Sequence, residues 1–221
     1  MRLSLALLFL LSLVSCKKNE GVSLHQDYQP MDSGKYIIYS AKDIVHDDLT
    51  NIHDTTEYML KVKIGADYLD NEGRPNKEYI RYKSLDNGAT WNISDVWYLY
   101  RDVYRMELIE ENQRKIKLAY APTLDKEWDL NAYNEEDEQE VRYDEVHNEY
   151  SVSGTSFDST VTVLQDDFYS LVDYSQQFEV YAKNIGMVQK YYKDLRIIDF
   201  DTNKVQKGTE SYLIYLSHGV E

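Results

Sequence analysis

The chain has 221 residues, with 39 Asp and Glu against 24 Lys and Arg, a formal net charge of −15 and one cysteine. An acidic balance of this size repels nucleic acid and anionic lipid headgroups, so no nucleic-acid partner is expected. A lone cysteine excludes both an internal disulfide and a cysteine metal cluster.

The first segment is a targeting signal. Arg2 precedes an apolar run over residues 3–11 with Ser4 as its one polar member, and Leu13-Val14-Ser15-Cys16 follows. That run is far shorter than the ~20 apolar residues a spanning helix needs. A positive start, an apolar core and a small residue before the cysteine read together as a lipoprotein signal peptide over residues 1–15. Cys16 is then the lipidation site, carrying palmitate-type acyl chains that hold the protein to a membrane. Residues 16–31, with Lys17, Lys18, Asn19, Glu20, Gly21, Ser23, Asp27 and Pro30, have the composition of a flexible tether.

From residue 32 to 221 the pattern is that of strands in one domain. Over residues 57–64, Tyr58, Leu60, Val62 and Ile64 alternate with Glu57, Met59, Lys61 and Lys63, which is the period of a half-buried strand. Runs rich in Tyr, Val and Ile recur at 36–40, 78–83, 96–101, 104–109, 115–120, 141–143, 159–165, 177–181, 187–192 and 211–217. The region 107–117 contains good helix formers, but its apolar residues do not keep a 3.6 period; it reads as two strands joined at Asn112. Turn signals at Asp86-Asn87-Gly88, Ser153-Gly154 and Asn184-Ile185-Gly186 punctuate the strands. The expected fold is mainly β, a single antiparallel sheet-rich domain with little helix, built as a sandwich or a strongly curled half-barrel.

The sharpest local motif is Ser84-Leu85-Asp86-Asn87-Gly88-Ala89-Thr90-Trp91. It resembles the Asp-box hairpin of sialidase propellers, where the motif stabilises a turn and takes no part in glycoside chemistry. Hydrolysis of a glycoside would need an identifiable pair of carboxylates at matched separation, and none stands out among the acids. His25, His46, His53, His147 and His218 form no zinc-type spacing, although His46 and His53, with Asp47, Asp48 and Asp54, could meet across a hairpin. The acidic run 135–140, near Asp125, Asp129, Asn131 and Asn134, lacks the intervals of an EF-hand loop and reads as a solvated loop. No glycine-rich phosphate loop follows a strand, and neither a cofactor nor a metal site is expected.

Aromatic content is weighted to tyrosine, with 21 Tyr against 3 Trp and 5 Phe. Tyr98, Tyr100, Tyr104 and Tyr120 sit among apolar neighbours and are assigned to the core. Trp128 and Tyr133 flank a polar loop that also contains Asn131 and Asn134. These four residues are the candidate ligand contacts, as a stacking platform with amide partners; the competing role is to anchor a long loop to the sheet.

The mature region resembles a family of uncharacterised Bacteroidetes lipoproteins. The likeness rests on Tyr28-x-Pro30-Met31-x-x-Gly34-x-Tyr36, Asn112-x-Arg114, residues 117–120, 128–134 and 154–158, and the stretch from Glu179 to Val188. These motifs mark the fold and assign no catalytic residue. The resemblance implies an outer-membrane lipoprotein with a β-rich body, facing the periplasm or the cell surface. Three function classes follow: a non-enzymatic protein that binds an envelope partner or supports an assembly, which is the favoured reading; a glycan or small-ligand binder; and a hydrolase.

Overall fold

The computed structural model describes residues 23–50 and 52–221. Twelve strands fill most of it: β1 (Lys35–Asp47), β2 (Ile52–Leu69), β3 (Pro75–Ser84), β4 (Asn92–Arg101), β5 (Arg105–Glu110), β6 (Gln113–Ala119), β7 (Glu127–Asp129), β8 (Glu140–Val152), β9 (Thr155–Tyr169), β10 (Asp173–Ala182), β11 (Gly186–Ile198) and β12 (Asp201–Val220). Among the described residues the helix content is one 3-10 turn, Gln26–Tyr28.

All twelve strands belong to one antiparallel sheet in the order β6-β5-β4-β3-β2-β1-β12-β11-β10-β9-β8-β7. Every pairing joins neighbours in the chain except β1 with β12, which unites its two ends. The sheet curls until its edge strands β6 and β7 face each other, giving a barrel that is nearly closed with an unsealed seam. Of the two architectures expected, the curled sheet is the one formed.

Alternation decides which face turns inward. On β2, Leu60, Val62 and Ile64 are buried, while Lys61 and Lys63 reach out to Glu221 at 3.1 and 2.9 Å. The 107–117 region is the hairpin of β5 and β6: Glu110 pairs with Gln113, and Glu111 and Asn112 both take positive φ, as a two-residue type I′ turn requires. Asn184 (φ 64) and Gly186 (φ 114) likewise carry the turn from β10 into β11. Tyr120 is in the core, but Tyr104 is 71% exposed. Tyr104 belongs to the turn between β4 and β5, so no sheet face covers it.

A meander has two poles. The near pole holds the start of β1 and the end of β12, paired as Lys35 with Val220. Turns β1–β2, β3–β4, β5–β6, β7–β8, β9–β10 and β11–β12 form the far pole. Residues 23–31 lie against the near pole: Gln26 Nε2 donates to the Asp102 carbonyl at 2.8 Å, and the Asn184 amide donates to the Asp27 carbonyl at 2.7 Å. Tyr28 is buried, its hydroxyl 2.6 Å from His147 Nδ1 and 2.8 Å from Ser159 Oγ. The packed body thus begins before residue 32, because burying the Tyr28 ring with two hydroxyl partners outweighs the polar composition around it. Cys16 and residues 1–15 lie outside the described residues.

Candidate functional site

The four candidate contact residues come together at the seam. Trp128, on β7, donates its indole N–H to the Ile116 carbonyl of β6 at 2.8 Å and packs on Tyr143 with ring centroids 4.8 Å apart. Asn131 is buried; its side chain donates to the Asp137 carbonyl at 2.8 Å and its backbone amide to Asp129 Oδ1 at 2.9 Å. Asn134 Nδ2 donates to the Arg114 carbonyl at 2.9 Å and to Asn131 Oδ1 at 3.0 Å. Three of the four therefore spend their polar groups within the chain: Trp128 and Asn134 tie the long 120–140 connection to the otherwise unpaired edge of β6, and Asn131 braces the connection itself.

Other groups complete that edge. The Ile116 amide donates to the Leu130 carbonyl at 2.9 Å, and the Tyr143 hydroxyl stands 3.0 Å from both the amide and the carbonyl of Ala119. Lys126 Nζ donates to the carbonyls of Ala119, Tyr120 and Ala121 at 3.3, 2.5 and 3.2 Å. Side chains thus do at the seam what a neighbouring strand does elsewhere.

Tyr133 is the exposed member of the four. The guanidinium groups of Arg105 and Arg114 lie 4.4 and 5.0 Å from its ring centroid. Both arginines grip Glu107, which is fully buried, at 2.6 Å each. The ring is a lid on this internal clamp.

A second charged cluster crosses the lumen. Lys117 of β6 places Nζ 2.9 Å from Glu179 Oε1 of β10 and 3.8 Å from Glu110 Oε1 of β5. Tyr181 donates to the other Glu179 oxygen at 2.7 Å, and Lys190 stands opposite Glu179 in the β10–β11 register. Burial by itself raises the Glu179 pKa; Lys117, Lys190 and the Tyr181 hydroxyl overcome it and hold the carboxyl at about 2. Burial, with Lys117 nearby, pushes Lys190 down. Burial also raises the phenols of Tyr79 and Tyr181. The cluster borders a cavity of about 50 Å³ lined also by Tyr79, Arg81, Leu99 and Met106. At ≳10–15 Å³ per water, that is room for roughly three or four waters and far below the ~300 Å³ of a small-ligand pocket.

The remaining sequence motifs resolve as structure. Asp86 accepts from the Thr90 amide at 2.9 Å, the Thr90 hydroxyl at 2.6 Å and the Ser84 hydroxyl at 2.7 Å, and these bonds hold its pKa at about 2. The Asp-box-like segment is a turn lock at the far pole. His46 and His53 do meet across β1–β2, their Nδ1 atoms 3.3 Å apart, with Glu210 2.8 Å from His46 and Asp48 3.0 Å from His53. Among the described residues no group of three or more His, Cys, Asp or Glu could hold a metal ion. In the acidic loop, Asp129 Oδ1 and Asn134 Oδ1 already accept the amides of Gln139 at 3.0 Å and Glu136 at 2.8 Å.

No family model matches the chain. No curated protein matches it. Among solved structures it is similar to a "putative lipoprotein" from Parabacteroides distasonis ATCC 8503, with 11% identity, a TM-score of 0.41 and coverage of 87% of this chain and 98% of that one. It is also similar to a "putative exported protein with YmcC-like fold" from Bacteroides fragilis NCTC 9343, with 10% identity, a TM-score of 0.39 and coverage of 85% and 98%.

Proposed function

We propose that this chain is a non-enzymatic lipoprotein of the cell envelope, anchored to the outer membrane through Cys16, whose β body binds another envelope protein. One observation carries the binding reading: the lumen is filled by side chains and crossed by the Lys117–Glu179 pair, so its cavity of about 50 Å³ is too small for a metabolite or sugar. Recognition then falls to the outer surface. The amide groups of Asn131 and Asn134 that a sugar would need are committed to the seam, which weighs against the glycan reading. The leader read over residues 1–15, directly before Cys16, supports the anchor.

Affinity purification of the full chain from detergent-solubilised envelopes tests the proposal. The expected result is one protein enriched reproducibly over envelopes lacking the chain. Repeated purification that enriches none overturns it.

A further inference from the structure

The far pole carries an apolar knob that folding does not require. Tyr169 at the end of β9, Leu171 and Val172 on the β9–β10 turn, and Phe200 on the β11–β12 turn, are each between 40% and 54% exposed. The two turns are fastened together: the Ile197 amide donates to the Val172 carbonyl at 2.7 Å, the Phe200 amide to the Leu171 carbonyl at 3.1 Å, and the Tyr169 hydroxyl to the Phe200 carbonyl. Tyr169 packs edge-on against both Tyr174 and Phe200, at 5.7 and 5.6 Å between centroids. The knob is a built, rigid surface rather than a loose loop.

Phe200 is also the wrong residue for its turn. Three hairpins here have two-residue loops with positive φ at both positions: Glu111-Asn112, Ser153-Gly154 and Asp199-Phe200. The first two end in Asn and Gly, which tolerate the left-handed region; the third puts a bulky aromatic there at φ 59 and leaves it 54% exposed. Such a position costs free energy in the isolated fold, which the Tyr169 contact and the two backbone hydrogen bonds of Phe200 offset in part, while about half of the residue stays exposed. Strain of this kind at an exposed site is a pointer to function.

We infer that this knob is the docking surface for the partner, and that it fits a protein with an apolar recess bordered by Lys and Arg. The inference rests on the partner-binding reading above and names the site and the partner's chemistry. Asp166, Asp167, Asp173, Asp199 and Asp201 are neighbours of these residues in the chain, at the ends of β9, β10 and β12 and on the β11–β12 turn. The nearby cations are Arg196, opposite Asp173 in the β10–β11 register and Lys207 in the β11–β12 register, Lys204, 3.5 Å from Asp201, and Lys193, 6.0 Å from the Tyr174 ring centroid and 3.3 Å from Glu210. An acidic rim around Phe and Tyr complements a basic rim around an apolar pocket and repels anionic headgroups. The N-terminal segment docks at the opposite pole, so the knob points away from the side where a tether would leave the body.

The test places the photo-crosslinker p-benzoylphenylalanine at Phe200 or Leu171, and as controls at Val103 or Leu124 on the near pole, in the full chain in its own envelope. The expected result is one adduct of protein mass from both knob positions and from neither control. Its crosslinked peptide should carry Lys or Arg beside apolar residues, and its yield from solubilised envelopes should fall at high salt. Phe200→Gly should cut the Leu171 adduct about tenfold or more, while raising the thermal midpoint because glycine relieves the turn. Phe200→Asn, also tolerant of the left-handed region, should behave alike. Protein adducts from the controls alone overturn the knob and leave partner binding standing. An adduct with a second copy of the chain, or with lipid, overturns the assignment of the occupant. No adduct from any position counts against both, and a lowered midpoint in both Phe200 variants overturns the strain argument.

Discussion

Replacing Lys117 by Met leaves the Glu179 carboxylate in the lumen without its main counter-ion. Glu179 is 2% exposed, and its surviving partners are the Tyr181 hydroxyl at 2.7 Å and Lys190 across the register. Removing one member of a buried pair costs about 3–5 kcal/mol, because the other charge stays desolvated. The remaining Lys190 puts Lys117→Met at the lower end, about 3 kcal/mol. The reverse change, Glu179→Leu, leaves Lys117 with Glu110 at 3.8 Å and should cost about the same. At roughly 2–4 °C per kcal/mol for a domain of this size, either variant should melt about 6–12 °C lower. The double variant Lys117→Met with Glu179→Leu removes both charges, and should recover most of the loss, since a hydrophobic replacement of a whole buried pair is about neutral. Urea unfolding followed by tryptophan fluorescence gives the double-mutant cycle. Single variants that each cost less than about 1 kcal/mol, and whose effects simply add in the double variant, would show that the pair is wet and the reasoning wrong.

The pH dependence follows from the same group. Glu179 has its folded pKa depressed to about 2 from 4.5, so its stabilisation is complete above 4.5 and is lost as pH falls towards 2; unfolding midpoints of Glu179→Gln should be flatter over that window than those of the native chain, and parallel curves would contradict this. Gly186→Val should cost about 1 kcal/mol or more, since φ is 114 and a Cβ there would stand 3.2 Å from Gln29 Oε1 and 3.3 Å from Ile37 Cδ1; an unchanged melting temperature would argue against it. Cys16→Ser should release the body from membranes, or leave an uncleaved precursor, without altering its unfolding curve; a mature-length protein that still sediments with membranes after a high-salt wash would refute the anchor.

Much of this architecture is written locally. Alternation over 57–64 assigns Leu60, Val62 and Ile64 to the interior without reference to any other strand, because successive side chains on a strand must point to opposite faces. The turns at Asn112, Ser153-Gly154 and Asn184-Gly186 are legible for a similar reason: few residues tolerate positive φ, so their presence between apolar runs specifies a hairpin. The strand β7, three residues long, has too short a period to read, and the full reach of β2 and β12 into polar sequence depends on neighbours to pair with.

Relations between distant residues emerge only once the sheet closes. Glu179 lies between Phe178 and Val180, and period-two reasoning turns it towards solvent; it faces the lumen because both sides of β10 are covered and Lys117, 62 residues away, comes across the barrel to meet it. Trp128, Asn131 and Asn134 look like a recognition loop in isolation, but closing the sheet leaves carbonyls of β6 without a strand; Trp128 and Asn134 donate to two of them, and Asn131 fixes the loop through the Asp137 carbonyl. The knob was equally hidden, since Tyr169 and Phe200 sit in different hairpins and become one surface when β10 and β11 bring the two turns side by side. Local chemistry determines strands and turns because it acts through the backbone of a few residues; charge pairs, seams and patches depend on which strands the closed sheet makes neighbours.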